Sequence, residues 1–320
     1  MAKNEKLQIW TEKYRPKMLG EVVNQKHIVN RLKAWVKEGS IPHLIFAGAA
    51  GVGKTTAAIC LARELFGEHW HENFQETNAS DQRGIDVVRG RIKDFAMTKP
   101  LGAPFKIIFL DESDSLTPEA QQALRRTMEK FSEVCRFCLS CNYSSKLIAP
   151  LQSRCAVFRF KNMTRDNVEE YSNRIARGEG LKVSQDAIDA LYEISEGDLR
   201  KATNLLQAAS ATGSVTKEGI YEVASQAKPE DVKEMISLAL SGGFEDARKR
   251  LQDMLINQGL SGQDIVRNIH REIFSLDIPD SGKIRLITHL GETEFRLNSG
   301  GSDDVQIESF LAQVALLGKK

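Results

Sequence analysis

Gly48-Ala49-Ala50-Gly51-Val52-Gly53-Lys54-Thr55 fits the pattern G-x-x-x-x-G-K-[ST]. An apolar run, Leu44 to Ala47, precedes it, and a helical pattern, Thr55 to Phe66, follows it. A strand, a glycine-rich turn and a helix in that order form a phosphate cradle. The glycines let successive N–H groups turn inward, and the helix N-terminus adds partial positive charge. The spacing assigns Lys54 to the β- and γ-phosphates of a nucleotide and the Thr55 hydroxyl to Mg²⁺, with Thr56 beside them. A glycine-rich turn carrying a chance lysine is the bland alternative, and it leaves the strand-and-helix context unexplained.

Outward from this loop, short apolar runs alternate with helical patterns, which predicts an α/β domain built on a parallel sheet. The strand candidates are Leu44 to Ala47, Phe74 to Asn78, Lys106 to Asp111, Arg136 to Cys141 and Val157 to Phe160. Ile107-Ile108-Phe109-Leu110 is apolar throughout, as a strand covered on both faces requires. Helices are expected at Thr55 to Phe66, Ile85 to Met97 and Pro118 to Phe131, the last with Thr117 as N-cap and proline at its first position.

Asp111 and Glu112 end the most apolar strand, at the sheet edge where open α/β folds bind ligands. Asp111 is placed to hold Mg²⁺, and Glu112 to activate an attacking water. The bland alternative is a pair of solvated loop acids. Three more polar residues are candidates: Asn142 at the next strand end, Arg154 in Ser153-Arg154-Cys155, and Arg200 in Gly197-Asp198-Leu199-Arg200. An arginine that neutralises charge on a transferring phosphoryl group accelerates hydrolysis by about 10³ to 10⁵. Each residue also has a plain reading as a strand-end cap or a surface cation.

The remaining sequence bounds these readings. The 320 residues carry 44 Lys+Arg against 43 Asp+Glu, which excludes a uniformly basic nucleic-acid coat and leaves a local basic stripe open. No apolar run approaches the roughly 18 residues that span a membrane. The N-terminus lacks a signal-peptide pattern, so a cytoplasmic chain with reduced thiols is expected. Cys135, Cys138 and Cys141 have metal-like spacing, but on a strand that spacing sends successive thiols to opposite faces, so they read as buried packing residues. After Phe160 the strand signal ends. The expected division is an α/β nucleotide-binding domain over residues 1–162, a small helical lid over 163–227, and a C-terminal helical domain over 228–320, with Lys228-Pro229 at the last boundary.

The combination of Trp10-Thr11-Glu12-Lys13-Tyr14-Arg15-Pro16, the glycine-rich loop, Asn78-Ala79-Ser80-Asp81-Gln82-Arg83-Gly84-Ile85-Asp86, Leu110-Asp111-Glu112-Ser113-Asp114 and Ser153-Arg154-Cys155 resembles the replication factor C small subunits, clamp loaders within the AAA+ ATPases. The resemblance covers essentially the whole chain. It implies an ATPase using ATP and Mg²⁺, with Tyr14, Arg15, Val22 and Val23 lining the adenine pocket. It also implies that Asn142 and Arg200 sense the nucleotide and that Arg154 reaches the nucleotide of a neighbouring subunit. The C-terminal helices would form a collar joining further copies and a large subunit in a five-membered ring. That ring would open the sliding clamp PCNA and place it on primer–template DNA. Two departures stand out: Ala49-Ala50 where the family usually has two prolines, and Ser113 where it has alanine. Neither removes a group that meets phosphate or metal.

DNA contact is expected on the Ile85–Met97 segment. Ile85, Val88, Ile92 and Phe95 recur at helical spacing and face inward, while Arg89 and Lys93 share another face. A basic partner-binding face and a solvated one fit the residues equally well. The resemblance favours the former, with Arg83, Arg89 and Lys93 as phosphate contacts. The competing functions are another AAA+ motor or remodeller, such as a branch-migration motor, and a nucleotide-binding structural subunit without hydrolysis.

Overall fold

The computed structural model describes residues 8–80 and 88–318. Its contacts divide the chain into two compact units, Met1–Ser214 and Val215–Lys320.

The first unit is built on five parallel strands: β1 (His43–Ala47), β2 (Phe74–Asn78), β3 (Lys106–Asp111), β4 (Cys135–Cys141) and β5 (Cys155–Arg159). Their spatial order is β2-β3-β4-β1-β5, so β1 lies inside the sheet with β4 and β5 on its flanks. The interior strands are apolar on both faces because both are covered. One face, with Ile45, Ile108, Leu110, Phe137 and Leu139, packs on Ala120, Leu124 and Met128 of the Pro118–Lys130 helix. The Lys54–Phe66 helix packs on β3 and β4, burying Ala57, Ala58 and Leu61. Cys135 and Cys141 belong to the first of these faces and Cys138 does not, so the three thiols are divided by the pleat as expected. Thr117 caps its helix by accepting from Ala120 N–H at 3.3 Å, with Pro118 in the first turn.

The Arg165–Glu179, Gln185–Ser195 and Leu199–Ala209 helices complete the first unit. Thr164 and Asn167 form a capping box, and the Ser184 hydroxyl accepts from Ala187 N–H. Two-residue strands at Lys182–Val183 and Ser214–Val215 interrupt the all-helical pattern expected after Phe160. They are too short for a period-2 signal to register in the sequence. The second unit holds the Lys217–Ala224, Pro229–Leu240, Phe244–Gln252, Gly262–Ile273, Asp280–Asn298 and Asp303–Gly318 helices. Its core joins Met235, Ile236, Leu251, Ile269, Leu290 and Phe310.

The expected Ile85–Met97 helix is not one regular helix. Ile85 and Arg83 lie outside the described residues. Within Val88–Ile92, Gly90 takes non-helical angles (φ −90°, ψ −110°), and a regular helix resumes only at Lys93–Met97. Glycine lacks the Cβ that would hold it in the α region, which is why the break falls there. Ile92 is fully buried and Phe95 packs against the same core, so that part of the inward face holds. The simple i, i+4 relation between Arg89 and Lys93 does not, because the kink lies between them. Lys93 is exposed, and the Arg89 side chain lies outside what is described.

Candidate active site

The chain leaves β1 at Ala47 and turns through the glycine-rich loop into the Lys54–Phe66 helix. Gly51 (φ +67°) and Gly53 (φ +93°) both sit in the left-handed region, which turns backbone N–H groups into one concavity. Gly48 is required for a different reason: a β-carbon there would fall 2.9 Å from both Cβ and the carbonyl oxygen of Phe160.

Because the strands are parallel, the loop, Asp111 at the end of β3 and Asn142 after β4 meet at one edge. A cleft opens there. Its walls include Ala50, Gly51, Val52, Gly53, Lys54, Thr55 and Thr56 from the loop and helix, with Asp111, Glu112 and Asn142 from the sheet edge. Arg15, Val22 and Val23 line it from the N-terminal segment, and Arg200 from the Leu199–Ala209 helix. The side-chain ammonium of Lys54 donates to the carbonyls of Gly48 and Ala49 at 2.7 Å each, and to Asn142 Oδ1 at 3.5 Å. Burial holds the Lys54 pKa below its ordinary value, partly offset by attraction to Asp111. The Thr55 hydroxyl donates to Asp111 Oδ2 at 3.1 Å, which sets two hard oxygen donors side by side, the donor type Mg²⁺ prefers. Glu112 takes a left-handed conformation (φ 51°, ψ 38°) that costs a residue with a side chain roughly 1–2 kcal/mol. Its N–H donates to Asp111 Oδ1 at 2.9 Å, and its exposed side chain lines the cleft. Asp114 steadies the next strand end by accepting from Asn142 N–H at 3.3 Å.

Two candidates stand elsewhere. The Tyr14 ring is not in the cleft wall. Its hydroxyl donates to Glu179 at 2.7 Å beside Lys13, and burial together with that carboxylate pushes its pKa up to about 12. Gly178 leaves room for the ring, and Tyr171 Oη donates to the Tyr14 carbonyl at 3.2 Å. Tyr14 thus ties the N-terminal segment to the Arg165–Glu179 helix. Arg154 immediately precedes Cys155, which pairs with His43, the first residue of β1. It therefore sits at the amino edge of the sheet, a strand length, on the order of 13 Å, from the loop edge. There it pairs with Glu129 at 2.5 Å and donates to the Pro150 carbonyl at 2.9 Å.

Thr11, Pro16, Met163, Tyr171, Leu199 and Thr203 also line the cleft. Pro16 and Leu199 adjoin recognised residues, but nothing in the local pattern separates Met163, Tyr171 or Thr203 from ordinary core positions. The packing of the Arg165–Glu179 and Leu199–Ala209 helices beside the loop brings them in.

The glycine-rich loop, the acid pair and the parallel sheet define a P-loop ATPase, and residues 44–163 match the family described as ATPase family associated with various cellular activities (AAA). Residues 227–313 match the replication factor C C-terminal domain. Full-length similarity is specific. The chain is 52% identical over 318 residues to a replication factor C small subunit of Archaeoglobus fulgidus, covering 99% of this chain and all of that one. It is 51% identical to those of Methanococcus maripaludis (96% and 98% covered) and Staphylothermus marinus (98% and 96%). The chain belongs to the replication factor C small-subunit family, and it is a clamp-loader-type AAA+ ATPase. Among solved structures, the Thermotoga maritima RuvB Holliday junction branch migration motor shares the fold with a TM-score of 0.55 at 18% identity, over 77% of this chain and 88% of that one. At that identity the likeness speaks to fold alone. No helix among the described residues is long and apolar enough to cross a membrane.

Proposed function

We propose that this chain uses ATP to open the sliding clamp PCNA and load it onto primer–template DNA, as one subunit of a ring containing further copies and a large subunit. The observation that carries the multi-subunit reading is the position of Arg154. It lies a strand length from the cleft of its own chain, yet its surroundings leave the guanidinium exposed. A phosphate-neutralising role for it requires a nucleotide held by another chain.

Within the cleft, Lys54 and the loop amides hold the β- and γ-phosphates. Arg15, Val22 and Val23 bound the base, and Asn142 and Arg200 meet the γ-phosphate from two sides. Thr55 and Asp111 would hold Mg²⁺, which would neutralise phosphate charge there. Glu112 accepts the proton of the attacking water, and its left-handed backbone aims the carboxylate off the sheet edge. Arg154 of one chain then neutralises charge developing on the neighbour's nucleotide. Hydrolysis weakens the assembly's hold on clamp and DNA. We further propose the three-part organisation, 1–162, 163–227 and 228–320, with the last part forming the collar. Arg83, Arg89 and Lys93 are proposed to follow the DNA backbone through sequence-independent, salt-sensitive contacts.

ATP hydrolysis measured with and without the clamp, primed DNA and the large subunit tests this reading. It predicts stimulation that needs both clamp and primed DNA. Stimulation by branched DNA without a clamp would favour a branch-migration motor instead. No hydrolysis under any combination would leave a structural subunit.

A further inference from the structure

The geometry points to Asp198 as a positioning residue that holds the Arg200-bearing helix against the phosphate loop. This inference rests on the reading of Arg200 as a nucleotide contact. The Asp198 carboxylate is the N-cap of the Leu199–Ala209 helix: Oδ1 accepts from the N–H groups of Arg200 at 2.8 Å and Lys201 at 3.0 Å. The same carboxylate lies directly on Gly51, so closely that a β-carbon built on that glycine would overlap it. The next residue continues the contact, with Leu199 N–H donating to the Gly51 carbonyl at 3.4 Å. On the other side the turn is pinned at Gly197 (φ +83°), where a β-carbon would fall 2.7 Å from the Met163 carbonyl oxygen. The turn is thus wedged between the end of the α/β portion and the phosphate loop.

Two consequences follow from the chemistry. First, one side chain both starts the helix and fixes where it starts, so the place from which Arg200 projects depends on the Asp198–Gly51 contact. Second, the carboxylate sits close enough to Lys54 to attract it, although a negative charge beside a phosphate cradle opposes nucleotide binding. A residue selected only for phosphate affinity would not be acidic here. A residue selected to dock the lid helix on the loop needs a short side chain with an oxygen that can accept from two N–H groups, and Asp supplies it. Asparagine supplies the same shape and acceptor without the charge.

The test is the ratio of ATP to ADP affinity, measured on the full chain with Mg²⁺ present, a readout that loss of helix stability alone would not move. Arg200→Ala is expected to lower the ratio. Asp198→Ala is expected to lower it by a similar factor, about tenfold, while Asp198→Asn keeps the wild-type ratio. In the Arg200→Ala background, Asp198→Ala is expected to add nothing further. A wild-type ratio in Asp198→Ala, with the ratio lowered in Arg200→Ala, would overturn the positioning role and leave Arg200 in place. Additive losses, or equal losses in Asp198→Ala and Asp198→Asn, would also overturn it. A wild-type ratio in Arg200→Ala would overturn the reading of Arg200 itself, and the inference with it.

Discussion

At the carboxyl edge of the sheet, half-buried Lys54 is bonded to two loop carbonyls and reaches Asn142, and Thr55 is bonded to Asp111. At the amino edge, Arg154 and Glu129 form an ion pair with side chains 38% and 41% exposed. Both edges belong to the same five strands. What differs is access. The carboxyl edge is covered by the N-terminal segment and by the Arg165–Glu179 and Leu199–Ala209 helices, and can hold a ligand. At the amino edge Arg154 and Glu129 are exposed. An exposed pair of this kind contributes little to stability, on the order of 0–1 kcal/mol.

The largest expected effects come from breaking each edge separately. Lys54→Ala should bring hydrolysis to background and weaken ATP binding by the isolated chain. Arg154→Ala should lower turnover of the assembled complex about 10³-fold while leaving ATP binding by the isolated chain unchanged. Weakened binding in the isolated Arg154→Ala chain would erase the distinction between the edges. Smaller in effect is a pH response confined to the amino edge. Burial, aided by repulsion from Arg136, lowers the His43 pKa to about 4, and its Nδ1 accepts from Phe137 N–H at 3.1 Å. A folded-state value below that of an unfolded histidine, near 6.5, favours the neutral ring. Its stabilising contribution is complete above pH 6.5 and is lost as the pH falls toward 4. Denaturation curves at pH 7 and 4.5 should show this loss, and His43→Gln should reduce it. Arg89→Ala plus Lys93→Ala should lessen the salt dependence of DNA-stimulated hydrolysis, with a change of about 2 in slope if each meets one phosphate. Thr117→Ala, which removes only a helix cap, should cost about 1 kcal/mol of stability and leave ATP binding unaltered.

Much of the carboxyl edge is legible in the sequence because its signals are local. The loop pattern, the apolar run ending in Asp111-Glu112, and Thr117-Pro118 each declare a backbone state within a few residues. The share of the cleft supplied by the Arg165–Glu179 and Leu199–Ala209 helices is not legible in that way. Tyr171 and Thr203 look like core positions of amphipathic helices, and they enter the cleft only because those helices pack against the arm. Tyr14 shows the converse. The motif places it beside Arg15, but a backbone turn between neighbours sends one side chain to the cleft and the other to Glu179. The kink at Gly90 was foreshadowed by glycine's poor helix propensity, yet propensity alone gives a cost of about 1 kcal/mol and no geometry. The amino-edge position of Arg154 follows from strand direction, which becomes readable once the parallel order is known.

The central claim is that one functional site is divided between two chains, and mixing variants tests it most directly. Lys54→Ala and Arg154→Ala chains would be assembled with the large subunit separately and together, and clamp- and DNA-stimulated ATP hydrolysis measured. The account predicts near-background activity for each alone and a clear gain in the mixture, where an intact loop can meet an intact Arg154 from its neighbour. A mixture no more active than the separate variants, or full activity from Arg154→Ala alone, would contradict it.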